Sequence, residues 1–362
     1  MLIESLSGMV RVRSTSRLSA KGLQPIIEIL RSSRTLALYD MGREPGCREL
    51  KFTAVQMMAI LLYIEIKKFT LEDYENAVEG RGSQMVLRNL GMPMVRGRYV
   101  APSTGWVSTF RNHEFPKFRA ELEREFMEAV IEMTAGHRIV TIDSTPAEAS
   151  RYSKWADFNA HYRIRMAKVH IIMVNGIPIF GLVTNGNDGD NPEFRKMLSR
   201  LQNARWGAGT LLLSDGAYDS AETYADVFLK TGVVMSSNSG AGSVWHEEAE
   251  WDDMVRRYNR LHRERGFVPS NKAAPEFILR FLARHGQKEV VGWFLRNLDM
   301  SRGKIIHRAH AKARHVCETV HHAMKRWVDF DVRGLHSPYV GRRLMMRLFF
   351  CSLLCVLFEP YI

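Results

Sequence analysis

Residues 168–183 read KVHIIMVNGIPIFGLV, two apolar runs on either side of Asn175-Gly176. Asn-Gly adopts positive φ at both central turn positions at low cost, and the resulting turn matches the twist of two antiparallel strands. The stretch therefore predicts a hairpin of Lys168–Val174 with Ile177–Val183. Pro178 stands at the beginning of its strand, where a missing N–H is tolerated. Upstream, the apolar run Ile139–Ile142 ends at Asp143. Downstream come a helix over Pro192–Leu201, a strand over Thr210–Ser214 ending at Asp215, a helix over Ala221–Lys230 and a strand over Val233–Ser236.

Three strands including a hairpin, then helix, strand, helix and strand, is the order expected of a ribonuclease H-like fold. The predicted class is an α/β catalytic domain with a mixed sheet flanked by helices, preceded by an all-α domain and interrupted by an insertion. Residues 1–136 are expected to form the helical N-terminal domain. Within it, Lys51–Lys68 carries Val55, Met58, Leu61, Leu62 and Ile64 at mostly helical spacing. Thr70 with Asp73 makes a capping box that starts a short helix over Leu71–Val78. Ser83–Leu90, closed by Gly91, is a second, and a third starts at Ser103 or Thr104. A longer helix runs from Pro116 to Thr134 with Phe118, Leu122, Phe126 and Val130 at i+4 steps. Short helices joined by Gly and Pro turns suit a helix-turn-helix-like DNA reader, as they suit any small helical domain. The catalytic domain is expected over 137–240 and 304–362, with 241–303 inserted.

Across 362 residues the chain is 46% hydrophobic and has a formal net charge of +12. A positive excess spread along the chain points to a polyanionic partner. Cys47, Cys317, Cys351 and Cys355 form no CxxC pair, so they read as reduced and mostly buried. Met1–Arg13 lacks the apolar core of a signal peptide, and Leu348–Phe358 is too short to span a bilayer. The expected setting is soluble, cytoplasmic and nucleoid-associated, with no membrane partner.

An Asp that closes a strand often merely opens a turn, but two matched strands each closing on one place carboxylates where open α/β sheets gather ligands. A third carboxylate stands on the long helix predicted from about Lys304 to Trp327. At 100° per residue, Arg314, Glu318 and Lys325 fall within an arc of about 40°, with Val316, Val320, Ala323 and Trp327 opposite. By periodicity alone this is an ordinary salt-bridged face.

Together the blocks Asp143-Ser-Thr-Pro, Asp215-Gly-Ala-Tyr218 and Arg314-xxx-Glu318-x6-Lys325 resemble the three signature blocks of prokaryotic insertion-sequence DDE transposases. Ala311 stands where that family's third block has Tyr. The resemblance runs from Arg138 to the C-terminus and is only general before that. It implies catalytic and metal-ligating roles for Asp143, Asp215 and Glu318. Hard oxygen donors of this kind suit two Mg²⁺ or Mn²⁺ ions, which neutralise the converging charge. It also implies the activity: cutting element ends to free a 3′-OH and joining that end to target DNA. Arg314 and Lys325 are implied to face DNA, and the implied partner is double-stranded DNA, as terminal inverted repeats and target, with a homodimer assembled on it.

In the insertion, Arg256, Arg257, Arg260, Arg263 and Arg265 form a basic run expected to hold DNA backbone. Lys168 and His170 on the hairpin read equally as site residues and as ordinary strand residues. The histidines around Glu318, with Cys317, match no common zinc spacing. Glu148, Asp157 and Asp219 are the neighbouring carboxylates expected to be dispensable. The alternatives to a transposase are a related metal-dependent nuclease without strand transfer and a non-catalytic DNA-binding descendant.

Overall fold

The computed structural model describes residues 19–42, 52–134, 139–153, 156–202, 204, 206, 210–237, 288, 291, 292, 295, 296, 315–328, 330 and 337–357. In chain order, helices α1 (Gln24–Arg31), α2 (Arg34–Met41), α3 (Ala54–Lys67), α4 (Leu71–Glu79) and α5 (Ser83–Asn89) lead to a ribbon of β1 (Met94–Val95) and β2 (Arg98–Tyr99). Then come α6 (Thr104–Thr109), a π-helical turn (Phe110–Glu114) and α7 (Phe115–Met133). Strands β3 (Ile139–Glu148), β4 (Asp157–Asn159), β5 (Ile164–Val174) and β6 (Ile177–Asn185) follow. Helix α8 (Asp190–Leu201), β7 (Leu211–Ser214), α9 (Ala221–Thr231) and β8 (Val234–Ser237) continue the alternation. Helices α10 (residues 315–327) and α11 (Ser337–Leu357) come last. The six-stranded sheet has the order β4-β5-β3-β7-β8, with β6 paired to β5. It is the mixed sheet flanked by helices that the sequence predicts.

Contacts divide the chain into two compact units: residues 1–135, 144–188 and 316–362 in one, 136–143 and 189–315 in the other. Strand β3 passes from the second unit into the first after Asp143.

In the first unit the local signals work as their chemistry dictates. Thr70 accepts from the Asp73 backbone while Asp73 accepts from the Thr70 backbone, the complete capping box. Those bonds, from backbone and hydroxyl of Thr70, hold the Asp73 carboxyl below its usual range. Thr53 and Gln56 cap α3 in the same way. Phe118, Leu122, Phe126 and Val130 of α7 are all buried. Asn175 and Gly176 have φ of 48° and 79°, the turn that joins β5 to β6 in antiparallel register. Gly181 of β6 lies so close to Leu348 of α11 that an added Cβ would stand 2.1 Å from its Cδ2, so the helix packs directly on bare strand backbone. Phe126 meets Phe349 edge-on at 5.7 Å. Glu65 of α3, wholly buried, accepts from Arg347 at 2.7 Å and Arg343 at 3.2 Å of α11. Truncating it would leave a buried guanidinium uncompensated, at a cost of about 3–5 kcal/mol. Cys317, Cys351 and Cys355 are reduced and buried, as expected.

In the second unit β3, β7 and β8 run parallel. Phe194, Met197, Leu198 and Leu201 of α8 and Tyr224, Ala225, Val227 and Phe228 of α9 are buried. Asn191 of α8 donates to Ser220, the N-cap of α9, at 2.8 Å and also bonds Thr223, which ties the two helices together.

Candidate active site

The register of β3 on β7 runs Ile139 with Leu211, Val140 with Leu212, Thr141 with Leu213 and Ile142 with Ser214. The next residue on each strand is an aspartate. Neighbouring strands lie ~4.8 Å apart, so Asp143 and Asp215 stand side by side. The flanking Val140, Ile142, Leu212, Leu213 and Ser214 are buried, whereas both aspartates are half-buried. The apolar runs thus anchor the strands, and the first residue past each anchor carries the charge toward solvent.

The two strands do not end alike. β7 stops at Ser214, and Asp215 caps the 3₁₀ turn Gly216–Tyr218, its Oδ1 accepting from Ala217 N at 2.9 Å. β3 was expected to end at Ile142, yet it continues to Glu148. What ends at Ile142 is its pairing with β7; the strand itself goes on beside β5. Pro146 within it removes one donor without ending the strand.

Glu318 lies on α10 and is exposed, as is Lys325. The buried side of this helix is formed by Cys317, Val320, Met324 and Trp327, a stripe rotated from the expected one, since Val316 and Ala323 are only half-buried. His315 is exposed where Cys317 is buried, so these two do not converge as zinc ligands would. Desolvation, with Lys325 and His322 adjacent, pushes the His321 ring down to about 4. Arg314 lies outside the described residues, as do Arg256, Arg257, Arg260, Arg263 and Arg265.

Among the described residues, no group of three or more His, Cys, Asp or Glu side chains is arranged to hold a metal ion. Asp143 and Asp215 belong to the second unit, and Glu318, on α10, belongs to the first. The aspartate pair offers hard oxygen donors with no sulfur or imidazole, a donor set that fits Mg²⁺ or Mn²⁺.

Lys168 and His170 lie on β5. Lys168 donates to the Asp188 carbonyl at 3.1 Å, and the buried His170 meets Thr184 Oγ1 at 2.8 Å across the hairpin. Asp219, which the sequence reading expects to be dispensable, accepts two hydrogen bonds from Arg296, at 2.7 and 2.9 Å. Nearby, burial pushes the Asp226 carboxyl up, but bonds from Lys288 and Arg195 outweigh it and hold the group below its usual range. No pattern in the sequence announced either pairing, since Asp219 and Arg296 are 77 positions apart.

A mixed sheet with two aspartates just past its paired strand ends offers oxygen donors of the kind that hard divalent ions take. The family described as "Transposase DDE domain" matches residues 134–354, and the chain belongs to that family. It is a DNA transposase of the DDE class, whose members work with divalent metal. No curated protein matches the chain. Among solved structures, a piggyBac transposase in a synaptic complex with hairpin DNA is 9% identical, covering 90% of this chain and 70% of that one at a TM-score of 0.39. A Mos1 transposase paired-end complex with the left transposon end is 14% identical, covering 72% and 79% at 0.21. The Mos1 mariner paired-end complex with Mn is 14% identical, covering 76% and 85% at 0.21. The assignment rests on the family match and not on these superpositions. Among the described residues no helix is long and apolar enough to cross a membrane.

Proposed function

We propose that Asp143, Asp215 and Glu318 are the catalytic carboxylates of a transposase that cuts element ends to free a 3′-OH and joins that end to target DNA. The observation that carries the reading is the pairing of β3 with β7, which sets Asp143 beside Asp215 one residue past the buried strand ends. The two aspartates and Glu318 would hold two Mg²⁺ or Mn²⁺ ions, which would supply activation of the attacking oxygen and charge stabilisation at the leaving one. In cleavage, water oxygen forms a bond to phosphorus as the P–O3′ bond breaks, and the departing oxygen takes a proton to become the 3′-OH. In joining, that hydroxyl attacks a target phosphate, and the target's own 3′ oxygen leaves. Asp143, on β3, and Asp215, held by the turn that follows β7, would keep their oxygens in place through both steps.

The remaining residues bind DNA. Arg314 and Lys325 flank Glu318 in sequence and contact phosphates, while Arg256, Arg257 and Arg260 in the 241–303 insertion hold duplex backbone. Residues 1–136 read the terminal inverted repeats, 137–240 and 304–362 form the catalytic domain, and a homodimer assembles on the DNA. A role of residues 1–136 in holding DNA is supported by residues 80–99, which contain four arginines and no carboxylate. Arg81, Arg88, Arg96 and Arg98 are all exposed, on or beside α5 and the β1–β2 ribbon. The protein acts in the cytoplasm, on the nucleoid.

The test incubates purified protein with labelled linear DNA carrying the element ends and Mg²⁺ or Mn²⁺, scoring nicking and joining separately. Asp143→Asn, Asp215→Asn and Glu318→Gln should each lower cleavage by about 10³-fold or more, since loss of one anionic ligand costs several kcal/mol of transition-state stabilisation. Binding to the ends should persist, and Glu148→Gln and Asp157→Asn serve as controls. Wild-type cleavage by Glu318→Gln would show that the third carboxylate lies elsewhere. Nicking without any joining would reduce the activity to that of a nuclease.

A further inference from the structure

We propose that Arg296 is a positioning residue for the active site, clamping the turn that carries Asp215. This inference rests on the catalytic reading of Asp215. The turn is short and stepwise: Asp215 O accepts from Tyr218 N at 3.2 Å, Asp215 Oδ1 from Ala217 N, and Gly216 O from Asp219 N at 3.2 Å. Whatever fixes Asp219 therefore fixes the orientation of Asp215 four residues before it.

Three anchors hold this segment. Tyr218 is buried edge-on against Phe194 at 5.6 Å, and Ser220 accepts from Asn191 at 2.8 Å. Between them, Asp219 takes the two-pronged bond from Arg296, with side chains only 7% and 11% exposed. A fork of this kind fixes the angle between carboxylate and guanidinium as well as their distance, which a single ammonium does not. Tyr218 and Ser220 belong to the same local stretch as α8 and α9. Arg296 comes from the block that the sequence marks as an insertion.

That block is attached to the turn at several points. Residues 288, 291, 292, 295 and 296 are helical, at the i, i+3, i+4, i+7 and i+8 spacing of one face. Val291 and Leu295 are buried, and Lys288 reaches Asp226 of α9 at 2.5 Å. At Gly292 an added Cβ would stand 2.0 Å from the Ala221 carbonyl oxygen, so the helical stretch lies directly on the start of α9. This part of the block is built into the catalytic unit, and through Arg296 it sets the geometry of Asp215.

The test uses full-length Arg296→Lys and Asp219→Glu. The first keeps the charge but loses the fork; the second keeps the ion pair but lengthens it by one methylene. A merely structural salt bridge tolerates both, whereas a positioning pair does not. Hydrogen exchange should show residues 216–220 opening at least tenfold faster in both variants, with α7 and α11 unchanged. Nicking of supercoiled plasmid in MnCl₂ should fall at least tenfold, and the free Mn²⁺ needed for half-saturation, followed by the electron paramagnetic resonance of the free ion, should rise severalfold. If Arg296→Lys does not fold, Asp219→Glu decides the matter. Wild-type nicking with an unchanged Mn²⁺ midpoint in a folded variant overturns the proposal. Asp215→Asn in parallel separates the two readings: if it nicks normally the catalytic assignment fails, and if it is inactive beside a normal Arg296→Lys only the clamp does.

Discussion

Replacing Asp215 with Asn should stabilise the protein without metal and destabilise it, relative to wild type, with metal. The register places Asp143 and Asp215 one residue past the paired Ile142 and Ser214. Two carboxylates on the order of 5 Å apart repel by about 3 kcal/mol at an effective dielectric of ~20. Both are half-buried, so solvent screening reduces this to ~1–2 kcal/mol. Asparagine removes the charge and keeps an oxygen to accept from Ala217 N, which leaves the turn intact. At ~2–4 °C per kcal/mol for a unit of ~150–250 residues, the thermal midpoint in EDTA should rise by about 2–8 °C.

In saturating Mn²⁺ the order reverses. An ion present at ~100 times its dissociation constant stabilises the wild type by ~2.7 kcal/mol. The variant has lost one anionic ligand and should gain little. The assay is differential scanning calorimetry of both proteins in EDTA and in MnCl₂, with Asp157→Asn as a control. An Asp215→Asn protein that melts below wild type in EDTA, or gains as much from Mn²⁺, would refute the placement of two repelling ligands at the strand ends.

Two further outcomes are expected. Arg96→Ala with Arg98→Ala should weaken binding to all duplexes alike and reduce the slope of log K against log salt by about 1.8, at ~0.9 per phosphate contact; a loss confined to the element ends would contradict a backbone role for the ribbon. His321 has its folded pKa depressed to about 4, so the unfolded chain binds the extra proton first, and stability present above the ordinary imidazole value of 6.5 is lost as pH falls toward about 4. His321→Gln should flatten that loss in melts taken from pH 7 to 4.5, and an identical slope in both proteins would show that other groups control it.

Much of the fold was legible because its signals are local. Thr70 with Asp73, Asn175-Gly176 and the i+4 row Phe118 to Val130 each specify a conformation through chemistry within a few residues, and each appears where expected. The β1–β2 ribbon escaped notice because its turn uses Arg96-Gly97, with φ of 48° and 77°, and arginine at positive φ carries no sequence warning. Strand β4 is three residues long and is held by its pairing with β5 and by hydrogen bonds to residues 185–187, which are not local in sequence. The stripe on α10 was placed by its β-branched and aromatic residues, whereas Cys317 and Met324 complete the buried side. Asp219 with Arg296 and Glu65 with Arg347 were invisible for a different reason: ion pairs between distant segments leave no periodicity to read. The aspartates were legible as residues, but their register, which makes them a pair, belongs to tertiary structure.

That register also explains why the charge sits where it does. β3 lies between β5 and β7 in the sheet, and its neighbour β7 turns away after Ser214 while β3 continues. Asp143 is therefore the first residue of β3 beyond its pairing with β7, and Asp215 is the residue that turns the departing chain aside. One position earlier, a carboxylate would replace buried Ile142 or Ser214 and meet a desolvation cost of several kcal/mol. One position later on β7, it would leave the rigid strand for the 3₁₀ turn. The pair thus occupies the position where backbone order is still set by the sheet but the side chains already reach water. A site of the proposed kind, which exchanges hydrated ions and admits a polyanion, needs both properties. It follows that the placement of Asp215 depends on the turn behind it being held, and Arg296 supplies that hold from the part of the chain that otherwise looks like an addition.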